Sequence, residues 1–212
     1  MTVFLLLLTL PVYGQAQKSL ATIDDFFTIQ YVGSPAISPD GNWVAYTVRV
    51  QDFEKKSSET SVWMSPVSGG EALPMTMKGT SSGNPQWSPD GRYLSFSASR
   101  NDSKSQVWVL DRRGGEAQQL TFIDQGISDY KWSPDGTRLM LMIRDKDEND
   151  SKDPRPYVID RLQFKQDYVG YLNRLRTHVY VFTPGDSLAK QLTFGDFDHS
   201  GATWSPDGKR IA

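Results

Sequence analysis

The chain has 212 residues, 38% hydrophobic and 12% aromatic, with 23 Lys and Arg against 25 Asp and Glu for a formal net charge of -2. That balance describes an ordinary globular protein and lacks the basic excess that nucleic acid binding demands. The absence of cysteine excludes disulfides, thiol chemistry and lipid attachment at cysteine.

At the N-terminus, Val3 to Leu10 is an unbroken run that is apolar except at Thr9, too short to span a bilayer and of the right length for the core of a signal peptide. Small residues at alternate positions follow, Val12 with Gly14 or Gly14 with Ala16, although no Lys or Arg precedes Lys18. Residues 1–17 are therefore expected to be a signal peptide, with the mature protein periplasmic or secreted; the alternatives are a buried first strand or a misplaced start. A lead-in segment follows from Ser19 to Val32.

One phrase then recurs four times: Ser38-Pro39-Asp40-Gly41, Ser88-Pro89-Asp90-Gly91, Ser133-Pro134-Asp135-Gly136 and Ser205-Pro206-Asp207-Gly208. Trp87, Trp132 and Trp204 precede the last three. Proline pre-sets φ for the first corner of a type I turn, Asp tolerates the second, and Gly accepts the positive φ that rejoins a strand. The residues after it alternate, as in Tyr93 to Ala98, so that every second side chain faces one side of a sheet. In the second copy a polar turn (Asn101 to Ser105), a strand Gln106 to Leu110, a Gly114-Gly115 turn and a closing run Ala117 to Phe122 complete the unit. The first copy repeats the plan, with Ser61 to Met64, Gly69-Gly70 and Glu71 to Met75.

Four strands per repeat is the anatomy of a propeller blade. Successive serines lie 50, 45 and 72 residues apart, close to blade-forming periods except for the last, which holds an insertion. The fold class expected is all-β: a partial β-propeller of about three four-stranded blades plus the start of a fourth. The blades run roughly 33–79, 80–124, 125–195 and 196–212, within an incomplete propeller over 18–212. Because open edges expose unpaired backbone and propellers close at 4 to 8 blades, the chain is expected to be the N-terminal part of a longer protein.

The opening Ala21-Thr22-Ile23-Asp24-Asp25-Phe26-Phe27, the stretch Ser34 to Gly41, the Gly-Gly-Glu turns at 69–71 and 114–116, and the blade ends Gln119-Leu120-Thr121 and Gln191-Leu192-Thr193 resemble the N-terminal propeller of the prolyl oligopeptidase family of serine peptidases. The likeness is to the acylaminoacyl-peptidase and dipeptidyl-peptidase-like members. The insertion, from Arg155 to Lys165, then Gly170-Tyr171-Leu172 and Arg176 to Phe182, is similar to a stretch of bacterial members. TolB-type propellers share the four-residue phrase. The resemblance implies a propeller that covers the active site and filters peptide substrates, with a C-terminal α/β-hydrolase domain carrying a Ser, Asp and His triad. No such domain is in this sequence, so no triad member is assigned here. The competing class is a non-enzymatic, TolB-like binding propeller.

Other candidates have bland readings. Gly79-Thr80-Ser81-Ser82-Gly83 matches the nucleophile-elbow pattern, but Asn84-Pro85-Gln86-Trp87 follows where a helix is required, so Ser81 reads as an inter-blade loop residue. His178 opens an apparent strand and His199 precedes Trp204; both read as structural. The run Asp145 to Asp153 lacks the glycine and the glutamate of an EF-hand loop, where Asp150 and Pro156 stand. Arg155, Arg161, Lys165, Arg174 and Arg176 suit either surface ion pairs or a substrate carboxylate. The glutamate pair that holds a substrate amino terminus in dipeptidyl-peptidase relatives has no match. The tryptophans are expected to pack between blades. No catalytic, cofactor-binding or metal-binding residue is nominated, and no cofactor is implied.

Overall fold

The computed structural model describes residues 20, 22–52, 54–77, 79–100, 103–147, 158–159, 161–168 and 170–212; the expected signal peptide at 1–17 lies outside them. Each Ser-Pro-Asp-Gly phrase is a self-sealed turn. Gly41 N–H donates to Ser38 O at 2.8 Å, with Gly41 at φ +72°. Ser38 Oγ donates to Asp40 Oδ1 at 2.5 Å and accepts the Trp43 N–H at 3.0 Å, while Asp40 Oδ1 also accepts the Asn42 N–H. The same bonds recur at Ser88, Ser133 and Ser205. The serine hydroxyl is the first cause that holds the carboxyls of Asp40, Asp90, Asp135 and Asp207 below the usual carboxylate range.

A short helix α1 (Asp25–Thr28) leads into the first sheet, made of β1 (Tyr31–Ile37), β2 (Trp43–Asp52), β3 (Ser57–Pro66) and β4 (Leu73–Pro74) in that spatial order. The second sheet is β5 (Ser82–Trp87), β6 (Tyr93–Ala98), β7 (Gln106–Asp111) and β8 (Gln118–Gln119), again in sequence order. In the third, β9 (Asp129–Trp132) and β10 (Leu139–Arg144) are separated from β13 (Thr177–Phe182) and β14 (Lys190–Gln191) by a hairpin of β11 (Lys165–Gln166) and β12 (Gly170–Tyr171). All pairs are antiparallel, and a bridge between Trp204 and Ile211 begins the next unit. The chain is thus nearly all-β, as expected.

The outer strands are shorter than the alternation suggests, two residues each where five and six were expected. Pro74 cannot donate a ladder hydrogen bond, and the Gly69-Gly70 and Gly114-Gly115 turns hold positive φ that delays re-entry into the ladder. Short outer strands also blunt an exposed sheet edge.

The sheets pack face to face. Leu94, Phe96 and Ala98 of the second sheet bury against Ala45, Val62 and Met64 of the first, and Leu139, Leu141 and Ile143 of the third against Val107 of the second. Met140, Met142 and Val179 meet Ala202, Trp204 and Ile211. The first strands β1, β5 and β9 contact one another in turn. The tryptophans lie at the seams. Trp87 Nε1 donates to Ala36 O at 3.0 Å, and Trp204 Nε1 makes the equivalent bond to Lys131 O at 3.2 Å. Trp132 reaches its counterpart by relay: Nε1 donates to Ser95 Oγ, which donates to Gln86 O. The turns also stack, since a Cβ on Gly91, Gly136 or Gly208 would lie 3.4–3.5 Å from Cδ of Pro39, Pro89 or Pro134 in the preceding turn.

Candidate functional face

The meander sorts its loops onto two ends. One end carries the Ser-Pro-Asp-Gly turns and the tight turns between third and fourth strands. The other carries the loops between second and third strands, including the insertion, together with the connectors from one sheet to the next. The insertion and the sheet-to-sheet connectors lie at this end, which is therefore the candidate functional face.

Register defines equivalent positions there. Val62, Val107 and Val179 each donate their N–H to a threonine hydroxyl, of Thr76, Thr121 and Thr193, at 2.9 Å. Thr60, Ser105 and Thr177 are therefore counterparts, as are Ser81, Gly126 and Asp198 across from them. Each connector is fastened differently. In the first, Glu59 Oε1 accepts the Gly79 N–H at 2.7 Å and Ser81 Oγ accepts the Thr60 N–H at 3.2 Å. In the second, buried Gln106 accepts from Thr121 Oγ1 and Ile123 N and donates to Ile123 O. There Gly126 is required: it sits at φ +76°, and a Cβ would fall 2.6 Å from Lys104 Cβ.

The third connector is held by charge. Asp198 Oδ1 accepts the Thr177 N–H at 2.9 Å, and Arg176 pairs with Asp196 at 2.8 Å and with Asp198 at 3.7 Å. Asp145 closes the stem of the insertion, accepting the Arg176 N–H while its own N–H donates to Arg176 O. His178, 4% exposed, points Nε2 at Asp145 Oδ1 across 3.6 Å and leaves Nδ1 without a hydrogen-bond partner. Its ring lies 5.3 Å from that of His199, which packs on Phe197 at 4.9 Å. The Arg176 guanidinium holds the Asp196 carboxyl below its ordinary range, and burial raises the Tyr180 phenol.

These positions decide how the sequence candidates are used. Ser81 is followed by strand β5, not by a helix, and its hydroxyl serves a backbone amide. His178 and His199 meet each other and no serine hydroxyl in the contacts above. Arg161 donates to Asn173 O, and Lys165 lies over the Tyr171 ring; Arg155 lies outside the described residues, as does most of the Asp145 to Asp153 run. Among the described residues no group of three or more His, Cys, Asp or Glu is placed to hold a metal, and no helix is long and apolar enough to cross a membrane. Sequence reasoning missed Glu59 and Gln106, whose roles become visible only through register.

Repeated four-stranded meanders, packed face to face and stitched by the tryptophan before each of the last three Ser-Pro-Asp-Gly turns, define a β-propeller architecture. The chain belongs to the TolB beta propeller domain family, which matches residues 17–154. It is 33% identical over 202 residues to the uncharacterized peptidase YuxL of Bacillus subtilis (strain 168), covering 91% of this chain and 30% of that protein. Its fold matches Pyrococcus horikoshii acylaminoacyl peptidase with a TM-score of 0.67 at 20% identity, over 85% of this chain and 27% of that one. A TolB structure from Agrobacterium tumefaciens matches with a TM-score of 0.54 at 21% identity, over 85% of this chain and 56% of that one. The expected likeness to the propeller region of prolyl oligopeptidase-type peptidases is borne out. The chain spans less than a third of the length of the two peptidases.

Proposed function

We propose that this chain is the substrate-gating propeller part of an exported serine peptidase, in which an α/β-hydrolase domain outside the chain hydrolyses peptides. The observation that carries this reading is the 33% identity to a peptidase over 202 residues, 91% of this chain. The fold likeness to acylaminoacyl peptidase supports it. The connector end supports a gating role, because the insertion of the third repeat falls between its second and third strands, β10 and β13, whose connection lies at that end. Export rests on the apolar run Val3 to Leu10. A near-neutral charge suits peptide substrates better than polyanions.

Reading the coding region beyond the Ala212 codon tests the proposal. A frame that continues through further blades into an α/β-hydrolase, with a Gly-x-Ser-x-Gly elbow between strand and helix, supports it; the full protein should then cleave peptides and lose that activity when the elbow serine becomes alanine. A frame that ends once the propeller closes refutes the peptidase. The family match and the TolB fold likeness then favour a non-enzymatic binding propeller.

A further inference from the structure

His178 stands at the register position of Gln106, one residue before the valine that bonds the blade-end threonine. Gln106 fastens the second connector through three neutral hydrogen bonds to Thr121 and Ile123. A histidine cannot offer an acceptor and a donor side by side as a carboxamide does. Among the described residues, His178 accordingly makes no such clamp at Gly195, the counterpart of Ile123, and its Nδ1 is unpartnered. Fastening instead falls to Arg176, whose guanidinium reaches Asp196 and Asp198, to the Thr177 N–H that Asp198 Oδ1 accepts, to His199, whose N–H donates to Thr177 O at 2.9 Å and whose Nδ1 lies 3.1 Å from that oxygen, and to the rings of His178, His199 and Phe197.

From this exchange of a neutral clamp for an ionic one, we infer that residues 194–199 form a charge-held strap that ties the third connector to the stem of the insertion and opens independently of the sheet cores. Its carboxylates are exposed, Asp196 by 71% and Asp198 by 60%, whereas Arg176 is only 20% exposed. Solvent ions therefore compete for the carboxylate side of each pair, and exposed pairs weaken within a short screening length as salt rises. In the second connector the clamp itself is neutral: Gln106 is 3% exposed and its bonds are uncharged, and the one ion pair there, Asp124 with Lys146 at 3.4 Å, is exposed on both sides and lies outside that clamp. Opening the strap would free the Arg176 guanidinium at the stem while β10 and β13 stay paired. The strap stands on this geometry whether or not the protein is a peptidase.

Hydrogen exchange on the protein at low salt and at 1 M NaCl tests it, comparing the amides of 191–200 with those of 119–128 in the same sample. Exchange in 191–200 is expected to accelerate about three- to tenfold at high salt, the range two weak ion pairs allow, with 119–128 unchanged. Arg176→Gln should give fast exchange in 191–200 at both salt levels. His178→Gln should restore the neutral clamp and make 191–200 as salt-insensitive as 119–128. Equal salt responses in the two connectors of the unsubstituted protein would overturn the inference. So would a His178→Gln protein that keeps the full salt response.

Discussion

Ser81 Oγ accepts the Thr60 N–H at 3.2 Å, the bond that Asp198 Oδ1 makes to Thr177 at the matching place in the third repeat. A hydroxyl and a carboxylate thus do one job, fastening a connector to the start of the third strand. The serine of an elbow-like pentapeptide is thereby occupied as an acceptor in a loop, with a strand after it.

If the full-length protein is the peptidase proposed above, Ser81→Ala should leave its peptide hydrolysis unchanged. Loss of one solvent-exposed hydrogen bond should cost under about 1 kcal/mol. Urea unfolding together with a peptide-hydrolysis assay of the full-length protein checks both. A collapse of hydrolysis with stability intact would mean that Ser81 takes part in the chemistry.

Trp87 contributes both area and a hydrogen bond to the seam between first and second sheets. Trp87→Phe keeps most of the ring and removes one hydrogen bond to Ala36 O, at a cost of about 1 kcal/mol. Trp87→Ala opens a cavity beside Leu94 and Phe96 and should cost about 3–5 kcal/mol. Chemical denaturation of the two variants gives the difference. Equal losses would show that the indole N–H carries the whole effect and the packing none.

The repeat was legible because its chemistry is local. Proline, aspartate and glycine fix a turn within four residues, and the alternation of Tyr93 to Ala98 fixes which side chains meet the neighbouring sheet. The connector clamps were not legible, because Glu59, Gln106 and Arg176 share neither identity nor spacing from the turn. Their equivalence comes from long-range register, through threonines that only the ladder brings opposite Val62, Val107 and Val179. Nor did the sequence announce that the turns stack. A glycine required for its positive φ looks the same whether or not a proline from the preceding turn lies against it.

That stacking can be measured at Gly136. It sits at φ +69°, and a Cβ there would lie 3.4 Å from Pro89 Cδ. Backbone strain and the tight contact together should make Gly136→Ala cost about 1–3 kcal/mol. Gly41→Ala at φ +72° has nothing within 4 Å and carries the strain alone, so it should cost less. The comparison of midpoints in urea separates the two causes, and a Gly41→Ala loss equal to that of Gly136→Ala would remove any role for the stack.

Acid should weaken the same turns. Asp40, Asp90, Asp135 and Asp207 all have carboxyl pKa values lowered in the fold, first by the serine hydroxyl of their own phrase. A group whose folded pKa is depressed stabilises the fold fully above its unfolded value, near 3.9, and that stabilisation is lost as pH falls through the folded value. Stability contributed by the turns should accordingly be constant from neutral pH down to about 5 and decline below about 4. The double variant Asp90→Asn, Asp135→Asn keeps an acceptor oxygen for each serine but has no carboxyl to protonate. It should start less stable at pH 7 and lose less between pH 5 and pH 2.5. Thermal melts at these three values decide it: parallel declines in the two proteins would place the acid sensitivity elsewhere, in pairs such as Arg113 with Asp111, and not in the repeated turns.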